Sequence, residues 1–216
     1  MQDIVIYGAG GLGREIRAYL RASDVTGQAW NFTGFIDDGK PAGSPVGDAK
    51  ILGGRAALAS VTKPTAVLLG IADPAAKEFL YAEFSQNPRL SFPALIHPLA
   101  NVEPSAVLRA GTVVAPYCVV SVNTVLGTGT LLNVGAQVGH DSVLGEFCSV
   151  MPHVAISGNV TVGEKTLIGV GAKILQGLSI GANTTVGIGS VVLNNVPSRC
   201  TVLGYPAKII KKAEQP

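Results

Sequence analysis

From Ile96 onward an aliphatic residue stands at every sixth position: Ile96, Val102, Leu108, Val114, Val120, Leu126, Leu132, Val138, Leu144, Val150, Ile156, Val162, Ile168, Ile174, Ile180, Val186 and Val192. The series runs through 17 hexads with no insertion. A fixed short period means that each unit buries its apolar residue by stacking on the last, so this part of the chain reads as a solenoid. Six fits neither a helix nor a long flat strand. It fits a coil of short strands and corners in which one side chain always turns inward.

The other hexad positions agree. Position five is mostly small (Ala106, Thr112, Cys118, Thr124, Ala136, Ser142, Cys148), as an inward site with little room requires. Position four is Gly or Asn in ten hexads, among them Asn123, Gly129, Asn159 and Asn195. These residues tolerate the positive φ that a corner demands. Position six of the early hexads carries Val107, Val113, Val119, Val125 and Leu131, an apolar row suited to a subunit interface.

Residues before about 92 follow a different pattern. Short apolar runs at 3–7, 32–36 and 66–70 read as strands, and stretches near 12–21, 56–60 and 74–85 read as helices. Residues 39–50 read as a loop, and 87–93 as a linker. This βαβ alternation predicts a small parallel sheet. Gly8, Gly10 and Gly13 form G-x-G-x-x-G between the first strand and the first helix, the context in which backbone N–H groups at a helix N-terminus hold phosphate. Asp37 and Asp38 end the second strand, where a ribose-binding acid would follow. The sheet is short for a dinucleotide, which favours a nucleoside diphosphate.

Composition narrows the classes. The net charge is only +2 and 14% of residues are charged, so neither nucleic acid nor an acidic partner is expected. No stretch is long and apolar enough for a bilayer, the start resembles no signal peptide, and a cytoplasmic location is expected. Three cysteines do not make a disulfide framework, and no Cys/His cluster has zinc-ligand spacing, so no metal is expected.

Of three histidines, His97 reads as a structural element at the junction and His153 as a corner residue. His140 stands at position three beside Asp141, an arrangement suited to a general base near neutral pH. If three hexads close one coil, Gly158 lies directly above His140 and its N–H faces an oxyanion. Pro152, Val170 and Ile188 then form a column two hexads away, suited to a long thin ligand.

These residues, with the closing Val202-Leu-Gly-Tyr-Pro-Ala-Lys208, resemble the hexapeptide-repeat acyltransferases. With Ile4–Ile16 and Phe35–Asp38 the chain is similar to a narrower group. That group holds sialic-acid O-acetyltransferases and N-acetyltransferases of nucleotide-linked 4-amino sugars. The resemblance implies an α/β N-terminal domain with a small Rossmann-like parallel sheet (1–92, nucleotide-sugar-binding) plus an all-β left-handed parallel β-helix (93–216, acyltransferase, with a C-terminal tail). It implies a homotrimer with sites between subunits and acetyl-CoA as donor. His140 matches the general base, Asp141 its acidic neighbour and Gly158 the oxyanion donor. Ser149, Val170 and Ile188 match CoA positions, and Ser149 departs from the His that the group often carries there. Gly10, Gly11 and Leu12 match the phosphate loop, Asp38 and Gly39 the base-contacting turn, and Gly70 the end of the third strand. Leu12 stands where 4-amino-sugar enzymes carry His.

The expected reaction is direct transfer from acetyl-CoA to a sugar amine or hydroxyl, in bacterial surface-glycan synthesis, with no covalent enzyme intermediate. O-acetylation of sialic acid or another free sugar remains an alternative. More remote are an NAD-dependent oxidoreductase resting on the glycine loop and a non-catalytic trimeric scaffold.

Overall fold

The computed structural model describes residues 2–24 and 30–212. Its first part is a six-stranded sheet in the order β3-β4-β2-β1-β5-β6. The strands are β1 (Gln2–Tyr7), β2 (Trp30–Ile36), β3 (Pro45–Val46), β4 (Ala49–Gly53), β5 (Thr65–Leu69) and β6 (Leu90–Ser91). The helices are α1 (Gly11–Asp24), α2 (Arg55–Ala59) and α3 (Pro74–Phe84). All pairings are parallel except the β3–β4 hairpin. The central strand β1 is covered on both faces, which is why Ile4-Val-Ile-Tyr7 is apolar without alternation. Ile4 and Ile6 pack with Ile16 and Leu20 of α1, while Val5 and Tyr7 pack with Leu80 and Phe84 of α3.

Two expectations need correction. Residues 39–50 are not all loop: Pro45–Val46 pairs with Ala49–Lys50. Arg17 and Arg21 of α1 both reach Asp48 at the tip of that hairpin. Nor is 87–93 only a linker, because Leu90–Ser91 adds a strand beside Thr65–Ala66.

From Leu95 the chain winds as a three-sided left-handed β-helix. Each hexad gives one two-residue strand, and its periodic aliphatic is the second residue. Residues 18 apart pair in register, as in Val120↔Val138 and Val138↔Ile156. The interior is filled by these aliphatics and by the small position-five residues, whose hydroxyls donate to carbonyls of the next coil: Thr124 to Gly139 at 3.2 Å and Ser142 to Ser157 at 3.1 Å. Position four takes positive φ at Asn123, Asp141, His153 and Asn159 (55–57°). Asn195 departs from this, since the last hexad opens into a bend and its side chain accepts from Ser179 N at 2.9 Å. The C-terminal lysines sit on a hairpin, Cys200–Gly204 with Ala207–Lys212, that extends one face of the prism.

Helix α3 docks on that same face. Lys77 enters the wall of the prism, Ser149 bonds to Ala72 at 2.6 Å, Lys165 pairs with Glu78 at 2.9 Å and Tyr81 packs on Phe147. Position six is therefore not one surface. Val113 and Leu131 (3% exposed each) lie on the docked face and are covered within the chain, whereas Val107 (48%) and Val119 (37%) lie on the other two and are open.

Candidate active site

His140, Asp141 and Gly158 meet at one corner of the prism. The left-handed corner at Asp141 turns its carboxylate back along the chain, where Oδ2 lies 2.8 Å from His140 Nδ1. A carboxylate only accepts, so this contact assigns the proton to Nδ1 and leaves the Nε2 lone pair free. One coil on, Gly158 lies directly against the ring: a Cβ there would stand 2.5 Å from Cε1 and 2.8 Å from Cδ2. Gly139 is required for a related reason, since its Cβ would meet Gly158 N at 2.5 Å. The Gly158 carbonyl accepts from Gly177 N at 3.0 Å, but among the described residues no group accepts from Gly158 N–H. The imidazole and carboxylate are each about half exposed (47% and 45%), so a substrate has direct access.

Asn123 completes the corner and was not singled out from the sequence as a site residue. It lies one coil below Asp141, and its amide donates to Asp141 Oδ1 at 2.9 Å. Its own N–H is held by Ser105 Oγ at 3.0 Å. The Asn123 amide first, then His140, holds the Asp141 carboxyl below its usual range. The signal was present: Ser105, Asn123 and Asp141 are spaced by one full coil.

The other histidines do different things. His97 is buried, meets Tyr19 edge-on at 5.5 Å and accepts from Leu99 N at 3.1 Å, and burial depresses its basicity. His153 sits on a left-handed corner above Gly135.

The expected CoA residues do not join His140 within one chain. Val170 (41% exposed) and Ile188 (70%) project from a different corner. Ser149 is fully buried under the N-terminal part, where its hydroxyl donates to the Ala72 carbonyl.

At the glycine loop the glycines divide into two sets. Gly8, Gly13 and Gly70 serve packing: a Cβ on Gly70 would stand 2.7 Å from Gly13 Cα, and one on Gly8 2.9 Å from Gly70 O. Gly10 and Gly11 have no such reason, for a Cβ on either meets nothing within 4 Å, and neither has positive φ. Gly10 borders a hollow of about 370 Å³ with Ala9, Arg14, Lys40 and the hairpin residues Pro45–Gly47. Arg14 and Lys40 bring two cations to it. Leu12 is partly buried against the core of the sheet. Asp37 accepts from Ala9 N at 2.8 Å and from Gly39 N at 2.9 Å. Asp38 accepts from Tyr7 Oη at 2.7 Å and Arg55 N at 2.6 Å, and these bonds, Arg55 first, hold its carboxyl low. Both acids at the end of β2 are thus engaged inside the chain.

Among the described residues no three His, Cys, Asp or Glu side chains form a metal-binding group, and no helix is long and apolar enough to cross a membrane.

A β-helix with a His–carboxylate pair over a corner glycine, joined to a small parallel sheet, defines a transferase architecture, and known proteins agree. Residues 3–84 match the PglD N-terminal domain family. PerB from Caulobacter crescentus, solved with CoA and GDP-perosamine, is 30% identical with a TM-score of 0.89, and 98% of each chain is covered. The acetyltransferase domain of PglB from Neisseria gonorrhoeae, solved with acetyl coenzyme A, is 28% identical with a TM-score of 0.86, covering 97% of this chain and 99% of that one. A curated serine acetyltransferase of Buchnera aphidicola is 36% identical over 117 residues, 54% of this chain and 40% of the relative. The chain spans 15–40% of the length of the curated serine acetyltransferases from Synechococcus elongatus, Buchnera aphidicola and Staphylococcus xylosus that it matches. This chain belongs to the hexapeptide-repeat sugar acyltransferases.

Proposed function

We propose that the protein transfers an acetyl group from acetyl-CoA to the amine of a nucleotide-linked amino sugar. The observation that carries this reading is the corner where Nδ1 of His140 meets Asp141 while Gly158 lies against its ring. The acceptor amine hydrogen-bonds to His140 Nε2 and attacks the thioester carbonyl. His140 takes the amine proton as the new C–N bond forms. Asp141 stabilises the imidazolium, and Gly158 N–H donates to the oxyanion. The C–S bond then breaks, and the CoA thiolate takes the proton back from His140. No protein nucleophile is required.

Two further points support the substrate class. Gly10 and Gly11 lack any packing role, and Gly10 borders a hollow with two cations, as a backbone that approaches a diphosphate requires. PerB was solved with a GDP-linked sugar and CoA. The engaged state of Asp37 and Asp38 counts against an NAD-type ribose contact. The active unit in this reading is a homotrimer, because Val170 and Ile188 project from a different corner than His140 and only a second chain brings the two corners together.

The test is thiol release from acetyl-CoA against UDP-, GDP- and dTDP-amino sugars, with free sialic acid included. His140→Ala should lower turnover by roughly 10²–10⁴-fold without unfolding the chain. Wild-type turnover in that variant removes His140 from the reaction, and release with sialic acid alone moves the assignment to O-acetylation.

A further inference from the structure

Lys77 lies one turn inside α3, 2% exposed, and its ammonium group has left the sheet domain altogether. Nζ donates to Gly129 O at 2.7 Å and to Cys148 O at 2.9 Å, both carbonyls of the prism wall. Burying an amine between two packed layers is costly, and a surface ion pair would hold the layers at lower cost. Such a pair exists beside it, Glu78 with Lys165. Docking alone therefore does not explain the lysine.

Its neighbours do. Cys148, whose carbonyl it holds, precedes Ser149, whose hydroxyl donates to Ala72 O. Ala72 stands between Gly70 and Asp73, the N-cap of α3. Gly70 is packed against Gly8 and Gly13 and donates to Tyr7 O at 2.7 Å. An unbroken set of short contacts thus runs from the glycine loop through Gly70 and Ala72 to Ser149, and returns through Cys148 and Lys77 to α3. The glycine loop is the acceptor end of the proposed reaction, and Ser149 lies on the prism face whose next strand, Leu167–Ile168, leads to Val170.

We infer that Lys77 is a positioning residue: it fixes the register of the acceptor-binding loop against the prism, so that the acceptor amine and the thioester meet at reacting distance. This rests on the acetyl-transfer reading. Without the ammonium, Gly129 O is left buried with no other donor among the described residues, and only the contacts at Ala72, Glu78 and Tyr81 hold α3 in place along the wall. Each substrate still finds its own site intact. The loss falls on alignment, where an error near 1 Å reduces rate on the order of a hundredfold.

The experiment compares Lys77→Met, which keeps length and apolar volume, with Glu78→Gln, which removes only the exposed ion pair. The acceptor is the nucleotide amino sugar that the wild type acetylates fastest in the panel above. Lys77→Met should lower kcat per folded chain by roughly 10–100-fold, with both KM values within about threefold of wild type. GDP, UDP or dTDP, whichever matches that acceptor, and CoA should bind as in the wild type by calorimetry. Glu78→Gln should leave kcat unchanged. If Lys77→Met does not fold, Lys77→Gln, which retains a donor, is read by the same kcat criterion. Normal kcat per folded chain with only a lower Tm makes Lys77 a structural residue and overturns the inference. So does an equal loss of kcat in Glu78→Gln. A wild type inert toward the whole panel overturns the transfer reading itself, and this inference with it; the two failures are therefore distinct.

Discussion

Gly158→Ala separates the parts of the proposed site more cleanly than removal of His140. The substitution keeps the backbone N–H that would hold the oxyanion. Gly158 has no positive φ, so alanine adopts its conformation without strain. What changes is one methyl group, placed 2.5 Å from Cε1 and 2.8 Å from Cδ2 of His140. Ordinary carbon contacts lie near 3.5–4.0 Å, so the imidazole must retreat by about 1 Å. The ring is half exposed and has room to swing outward, which means the fold does not absorb the clash, but Nε2 leaves its place. A displacement of that size reduces rate about a hundredfold. Full loss of general-base help sets the ceiling at roughly 10⁴-fold. Thiol release from acetyl-CoA should therefore fall at least about a hundredfold in Gly158→Ala, with thermal unfolding unchanged or slightly raised. In a His140→Ala background the same substitution should have almost no further effect, since the group it displaces is already gone. Turnover within about threefold of wild type, or full additivity of the two changes, would refute the claim that this corner holds the base.

Three other outcomes follow. Asn123→Ala frees Asp141 from its amide donor; its carboxyl should return toward the usual range, and kcat should fall about tenfold or less. Gly10→Ala and Gly11→Ala meet no intrachain atom, so they should fold normally, while KM for the nucleotide sugar rises at least about tenfold. Burial lowers Lys77 to about 7 against 10.5 for a free lysine, with Asp73 the charged group that opposes the shift. The unfolded chain thus holds one more proton than the folded chain between those values. Stability to denaturant should rise by a few kcal/mol from about pH 7 to 10 and be flat below pH 7 in this component. Lys77→Met should lack that rise, and an identical pH profile in both proteins would show that Lys77 is not the group responsible.

The prism was legible in the sequence because its period is local. An inward aliphatic at position one, a small residue at position five and a left-handed corner at position four are demands each coil makes on itself, so the residues repeat wherever the geometry repeats. The same spacing brought His140, Asp141 and Gly158 to one corner. The docking of α3 imposes no period, and it is where sequence reading fell short. Val113 and Leu131 looked identical to Val107 and Val119, yet one pair is covered within the chain and the other faces solvent. Ser149 carried the resemblance to a donor contact, and only the fold reveals Ala72 O beside it. Lys77 gave no sign of burial, since a lysine in an amphipathic helix is ordinarily solvated. The β3–β4 hairpin was hidden by its Gly and Pro content, and is held by Arg17 and Arg21 from a distant helix.

The two groups of the proposed base and oxyanion sites belong to successive laps of the same winding, eighteen residues apart. Their alignment is thus a property of path length. Adding or deleting one residue between them rotates every later side chain off its face, and the error persists to the terminus. The gene tolerates length changes in this stretch only as whole laps or as bulges thrown out at a corner. Drift here is confined to exchange of one side chain for another.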